Sequence, residues 1–300
     1  MVSAFINPDR LEHAVKSVAD TVREAAAHGD KFDFGHLLSH MKDSRDVELP
    51  FVHFQLPELP PMHIAGLTLD LSPTRHVFFL VVCAVLVAVV AIASARAYRK
   101  SLIPHGLPTL LEMMVIFIRD EVAFPTLGTA GMRYVPYLLT TFFYILVMNL
   151  TGLIPYGATA TSNVMVTAGL AIVAFVMIQV SAIRAQGFVH YLAHLTGGVH
   201  WGLWVIMVPI EVLGLFTKPF ALCIRLFANM TAGHVVVLSL IGLIFLFRSL
   251  AVAPISIPLA LFIDLLELLV AVIQAYVFTM LTALFMGLGM QGEHEEEHAH

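Results

Sequence analysis

The chain alternates between long apolar stretches and short polar breaks, and the length of each stretch limits what it can be. Val77–Ala95 is nineteen residues with Ser94 as its one polar position, enough helix to cross a hydrocarbon core of about 30 Å. Tyr134–Pro155 and Val164–Ile183 are similar in length, and the polar turn Gly157–Asn163 between them joins two antiparallel spans. Pro108–Phe124 is shorter and is interrupted by Glu112 and by Arg119-Asp120-Glu121. That pattern predicts a helix lying near the membrane interface, not across it.

Two stretches are too long for upright spans. Gly202–Phe247 has 46 residues and Ile255–Gly289 has 35; as helices they would run to about 69 Å and 52 Å. A break at Lys218-Pro219 would leave two helix ends meeting in mid-membrane with no polar loop. The pattern therefore predicts two unbroken, strongly tilted helices that form a hairpin around Arg248–Pro254. The expected fold is an all-α integral membrane protein with about five membrane helices plus an interfacial one.

Composition agrees with the pattern. Hydrophobic residues make up 59% of the 300 and charged residues 12%, with a mean hydropathy of +0.87. A soluble globule of this size would lack the polar surface to cover such a core. Of the charged residues, 18 fall in positions 1–75 and four after Gln291. The expected organisation is an N-terminal segment at 1–75, a membrane domain at 76–290 and an acidic, His-rich tail at 291–300. In the first segment Leu11, Val15, Val18, Val22 and Ala25 recur at helical spacing, while Pro57, Pro60 and Pro61 forbid a long helix between Phe51 and Leu71. Met1–Pro8 lacks the basic region and long apolar core of a secretory signal.

Arg96, Arg99 and Lys100 follow the first span, against a single Arg75 before it. The positive-inside rule then puts the N-terminal segment outside and the C-terminal tail in the cytoplasm. A net charge of −5 without a long basic run excludes a nucleic-acid partner. Cys83 and Cys223 lie in separate apolar runs and read as buried free thiols. His190 and His194 stand at helical spacing with His200 near them, and the tail Glu293–His300 mixes acids with histidines. Without a second histidine pair from another span these read as a polar loop and a solvating end, so no metal or cofactor is expected.

The chemistry lies in the hairpin, which carries Glu211, Lys218, Arg225, Asn229, His234, Asp264, Glu267 and Gln274. A charge near the bilayer centre costs from about 2.5 to more than about 10 kcal/mol, so such groups are kept for function or are paired. If the hairpin turns near residue 250, residues equally far from the turn face each other. That sets His234 opposite Glu267 and Arg225 opposite Gln274. Asn229 lies one turn from Arg225, Glu211 about four turns the other way, and Gln274 two turns from Glu267. Histidine and carboxylate exchange protons near neutral pH, whereas arginine does not release its proton. A polar track interrupted by a permanent positive charge conducts only if a mobile carboxylate carries the proton around that charge.

The run Thr217-Lys218-Pro219-Phe220-Ala221-Leu222-Cys223-Ile224-Arg225-Leu226-Phe227-Ala228-Asn229-Met230-Thr231-Ala232-Gly233-His234 closely resembles subunit a of F-type ATP synthases. So does Gln274-Ala275-Tyr276-Val277-Phe278-Thr279-Met280-Leu281-Thr282 in the last helix. Met148-Asn149-Leu150 with Pro155 is similar to an early span of that family, and Asn163-Val164 to the next. The likeness covers roughly residues 77–290 of this chain. It implies a subunit with no catalytic centre of its own, set in a bacterial inner membrane. Its partners would be a ring of c subunits, peripheral-stalk b subunits and the rest of the synthase, with Glu112 and Arg119 as candidate stalk contacts. Arg225 would be the stator charge facing the c-ring, Glu211 would line the cytoplasmic half-channel, and His234, Glu267, Asn229 and Gln274 the outer one. Asp264 and the long 1–75 segment depart from that pattern. A secondary cation/proton antiporter is the alternative; it predicts inverted repeats, and none is visible. A haem- or quinone-binding redox subunit is a further rival, disfavoured by the lack of paired histidines across spans.

Overall fold

The computed structural model describes the backbone at 46–49, 52–55, 62–64 and 67–69, and then residues 74–100, 106–129, 131–153, 160–194, 204–247 and 252–291. The helix expected after Asn7, His200 and the C-terminal tail lie outside the described residues.

Four short strands precede the helices, a feature the prolines had only limited by ruling out a long helix. β1 (Asp46–Leu49) pairs antiparallel with β2 (Val52–Gln55), with Asp46 opposite Gln55 and Leu49 opposite Val52. β3 (Met62–Ile64) pairs with β4 (Leu67–Leu69) in the same sense. Apolar residues alternate within each strand, as a two-faced ribbon requires. Pro57, Pro60 and Pro61 fall between the two hairpins, where no ladder hydrogen bond is needed from them.

Eight α-helices follow among the described residues: α1 (Arg75–Lys100), α2 (Leu107–Phe117), α3 (Phe124–Leu127), α4 (Val135–Gly152), α5 (Val164–Gln186), α6 (Phe188–His194), α7 (Trp204–Phe247) and α8 (Ala253–Gln291). Five of them, α1, α4, α5, α7 and α8, are long and apolar enough to cross a membrane. This is an all-α integral membrane domain, with each span within a few residues of its predicted bounds. Between α2 and α3 the backbone widens into a π-helix, Ile118–Ala123. The wider turn buries Ile118, Val122 and Ala123 while Arg119, Asp120 and Glu121 stay exposed. Arg119 pairs with Asp120 at 2.7 Å and holds that carboxyl below the usual carboxylate range.

Local sequence sets the ends of α5. Asn163 caps its start, its side-chain oxygen accepting from the Met165 N–H at 2.8 Å, which satisfies a donor that the helix itself cannot. Gly187 ends it at φ 86°, a left-handed conformation that costs only glycine little.

The described residues fall into two compact units. The smaller holds residues 234–264, the far part of α7 and the start of α8. Within it Ile244, Ser256 and Ala260 are buried, and the Ser239 hydroxyl donates to the Val235 carbonyl at 2.6 Å. The larger unit takes the other described residues. Its core is built around α4, where Leu138, Ile145 and Met148 are fully buried with Ile118, Leu222, Leu226, Phe278 and Met286. Tyr144 of α4 donates to the Leu80 carbonyl of α1 at 3.0 Å. The C-terminal end of α8 is locked twice: the Gln186 amide donates to the Gly289 carbonyl at 2.7 Å, and a Cβ added at Gly287 would run into the Thr126 carbonyl.

α7 is unbroken for 44 residues despite Pro209 and Pro219 inside it, and α8 runs for 39 with Pro258 inside it. At about 66 Å and 58 Å each is roughly twice the hydrocarbon thickness. Large apolar side chains stay exposed along α7 from Val205 to Phe247 and along α8 from Ile255 to Leu288. Burying such surface in lipid over that length calls for an oblique crossing, as the sequence predicted.

Candidate functional site

The polar residues of α7 recur at intervals of seven and four: Glu211, Lys218, Arg225, Asn229. Because an α-helix turns every 3.6 residues, this spacing lays them along one slowly drifting stripe. Arg225 and Asn229 are exposed, as are Ala221, Ala228 and Ala232 around them. The opposite face of the same turns, Leu222, Leu226 and Met230, is fully or almost fully buried. The arginine thus stands on the outward face, with the small side chains of Ala221, Ala228 and Ala232 and the larger Ile224 and Asn229 around it.

Across from this stripe, α8 presents Gln274 and Glu267, both buried. Asn229 donates through Nδ2 to Gln274 Oε1 at 2.9 Å. This corrects the sequence pairing, which set Gln274 opposite Arg225. The partner is one turn further along α7. Glu267 packs against Gly233: a Cβ built there would stand 2.7 Å from the carboxylate carbon and 2.8 and 2.9 Å from its oxygens. The absence of a side chain at Gly233 is what leaves room for that carboxylate.

The other predicted residues are placed as follows. Lys218 is half-buried, with its ammonium 5.2 Å from the centre of the Phe285 ring, a cation–π seat that keeps a charge in an apolar setting. Glu211 is half-buried near the start of α7. In the smaller unit His234 is half-buried, and exposed Asp264 stands within electrostatic reach of it. His190 and His194 sit on α6. Both cysteines are free and buried; Cys83 donates to the Thr151 hydroxyl at 3.6 Å, and Cys223 lies 3.4 Å from the Thr167 hydroxyl.

Two residues went unassigned in the sequence. Asn149 of α4 has no solvent exposure and donates to the Ala271 carbonyl of α8 at 3.2 Å, one turn from Gln274. Gly233 was visible only as a small residue beside His234. The signal for Asn149 was its isolation as an amide within an apolar span, since a buried amide needs a partner.

Five long apolar helices, with a hydrogen-bonded amide pair, a buried carboxylate and an outward arginine on two of them, define a multi-pass membrane protein with polar groups set into its apolar helices. The family model described as ATP synthase A chain matches residues 77–287. Among curated proteins, ATP synthase subunit a of Chloroherpeton thalassium is 50% identical over 256 residues, 84% of this chain and 76% of that one. Subunit a 2 of Chlorobaculum tepidum is 47% identical over 295 residues, 97% of this chain and 82% of the relative. Subunit a of Myxococcus xanthus is 53% identical over 235 residues, covering 77% and 78%. The chain belongs to the ATP synthase subunit a family, and is therefore a membrane subunit of an ATP synthase.

Proposed function

We propose that the chain conducts protons through two offset half-channels at its contact with a rotating ring of c subunits, and so couples a proton gradient to ATP synthesis. The observation that carries this reading is the Arg225 face. An exposed arginine with Ala221, Ala228 and Ala232 on the same side of the helix lets another helix approach closely and offers a fixed positive charge to a carboxylate on that helix.

Arginine stays charged at any physiological pH. It holds a passing carboxylate ionised, and so prompts that carboxylate to release its proton on one side before passing and to take up another on the far side. On the outer side the supply runs through His234 and Glu267 toward Gln274 and Asn229, whose hydrogen bond at 2.9 Å fixes the amide nearest the arginine. On the cytoplasmic side Glu211 lines the exit. The subunit makes and breaks no covalent bond except to protons. Peripheral-stalk b subunits meet it around Glu112 and Arg119, the N-terminal segment lies outside a bacterial inner membrane, and the C-terminal tail is cytoplasmic. Residues 76–290 form the conducting domain. The antiporter alternative expects a helix broken at the site, and the continuity of α7 through Lys218-Pro219 counts against it.

Arg225→Ala, assembled in the complete synthase in membrane vesicles, tests this. Coupled ATP synthesis should fall to background while the amount of assembled complex is unchanged. Full coupled synthesis in that variant would refute the stator role.

A further inference from the structure

A cavity of about 610 Å³ opens between α1, α2 and α4, far along the chain from the polar hairpin. Val87 and Ala91 of α1, Leu111 and Val115 of α2, and Val147 and Leu150 of α4 make its walls, which are almost wholly apolar. At one end the character changes. Tyr98 donates to Glu112 Oε2 at 2.6 Å and lies 3.3 Å from the Pro108 carbonyl. Arg99, next along α1 from Tyr98, is exposed.

The size is in the range of sites for single small amphiphiles, roughly 300–1,000 Å³. The walls belong to helices that lie in or against a bilayer, where acyl chains are the solvent. The polar end selects among lipids. Glu112 offers a carboxylate with about four lone-pair sites, of which Tyr98 fills one. Arg99, one residue on from Tyr98, supplies the neighbouring positive charge. A headgroup that carries a phosphate and a terminal ammonium meets both signs, whereas a purely anionic headgroup would set a like charge against Glu112. We propose that this cavity is a lipid site that holds one acyl chain of a zwitterionic phospholipid with a primary-ammonium headgroup, the ammonium on Glu112 and the phosphate toward Arg99.

The test uses the intact synthase in vesicles of equal parts phosphatidylethanolamine and phosphatidylglycerol. Photoreactive probes of each lipid, with the reactive group in the acyl chain, are mapped by mass spectrometry. The ethanolamine probe should label α2 and α4 around Leu111 and Val147 about fivefold more than the glycerol probe, the ratio a single charge contact gives. Glu112→Gln, which keeps an acceptor for Tyr98, should erase that preference. Ala91→Trp should fill the cavity and remove labelling by both probes. Equal labelling by the two lipids, or a preference that survives Glu112→Gln, would overturn the proposal in favour of ordinary boundary lipid. Labelling at lipid-facing Val81 and Val85 of α1 without any in the cavity would overturn it in favour of another subunit covering the cleft. Should Ala91→Trp fail to assemble, the Glu112→Gln comparison decides alone.

Discussion

α4 and α7 are both apolar helices with polar residues set into them, yet they treat those residues in opposite ways. In the most apolar stretch of α4, 44% is buried within the chain; in that of α7 the figure is 17%. Most polar side chains of α4 are buried or half-buried and bond within the fold, with Thr140 exposed. Thr140 donates to Pro136 O at 2.7 Å, Thr151 to Val147 O at 2.7 Å, and Asn149 reaches across to Ala271 O. Of those on α7, Arg225, Asn229 and Thr217 are exposed, and of these three Thr217 bonds its own helix at the Leu213 carbonyl. A polar group in hydrocarbon must be paired within the fold or kept for a partner. The first choice makes a scaffold; the second makes a working surface. Burial, more than polarity, separates the two roles.

That contrast can be broken by mutation, and the effects should rank by how close each residue lies to the working stripe. The Arg225→Ala variant comes first, with loss of coupled synthesis to background. Gly233→Ala comes next. The new methyl would stand 2.7 Å from the Glu267 carboxylate carbon, and the flexible end of that side chain is what must yield. ATP-driven proton pumping should drop on the order of tenfold, equivalent to about 1.4 kcal/mol on the barrier, with assembly intact. Asn229→Ala removes a neutral hydrogen bond worth about 1 kcal/mol, so coupled synthesis should fall about fivefold and retain full sensitivity to uncouplers. Asn149→Ala should act on the scaffold instead. Losing an interhelical hydrogen bond in a membrane costs about 0.6–2 kcal/mol, which should lower the thermal midpoint of the assembled complex while the rate per surviving complex changes less than in Asn229→Ala. Thr140→Ala should change either readout least, because its exposed hydroxyl bonds the Pro136 carbonyl of its own helix. An Asn149→Ala effect on rate larger than that of Asn229→Ala would erase the distinction between scaffold and surface.

Much of this was legible in the residues. Apolar run lengths gave the five spans and the unbroken α7 and α8, because a bilayer sets one length scale and departures from it stand out. The candidate residues on the two long helices were found by their cost in lipid. Their pairing was not. Counting from the turn placed Gln274 opposite Arg225, and a shift of one helical turn was enough to give Gln274 to Asn229 instead. The two β-hairpins between Asp46 and Leu69 were missed because strands of three or four residues carry too few alternations to be told from loop. The π-helix at Ile118–Ala123 was invisible for another reason: one extra residue per turn leaves no mark in a sequence already interrupted by Arg119-Asp120-Glu121. The close approach of Glu267 to Gly233 and the cleft beside Tyr98 depend on which side chains meet, and spacing along one chain does not report that.

The most direct measurement is a cysteine cross-linking scan of α7 against the c subunit within the assembled synthase. Single cysteines at Ala221, Ile224, Ala228 and Ala232, on the exposed side of the helix around Arg225, should cross-link to positions beside the c-subunit carboxylate. Cysteines at Leu222, Leu226 and Met230, which face the core, should not. Cross-links spread over both faces, or none from the exposed side in membranes that hold both proteins, would contradict the account.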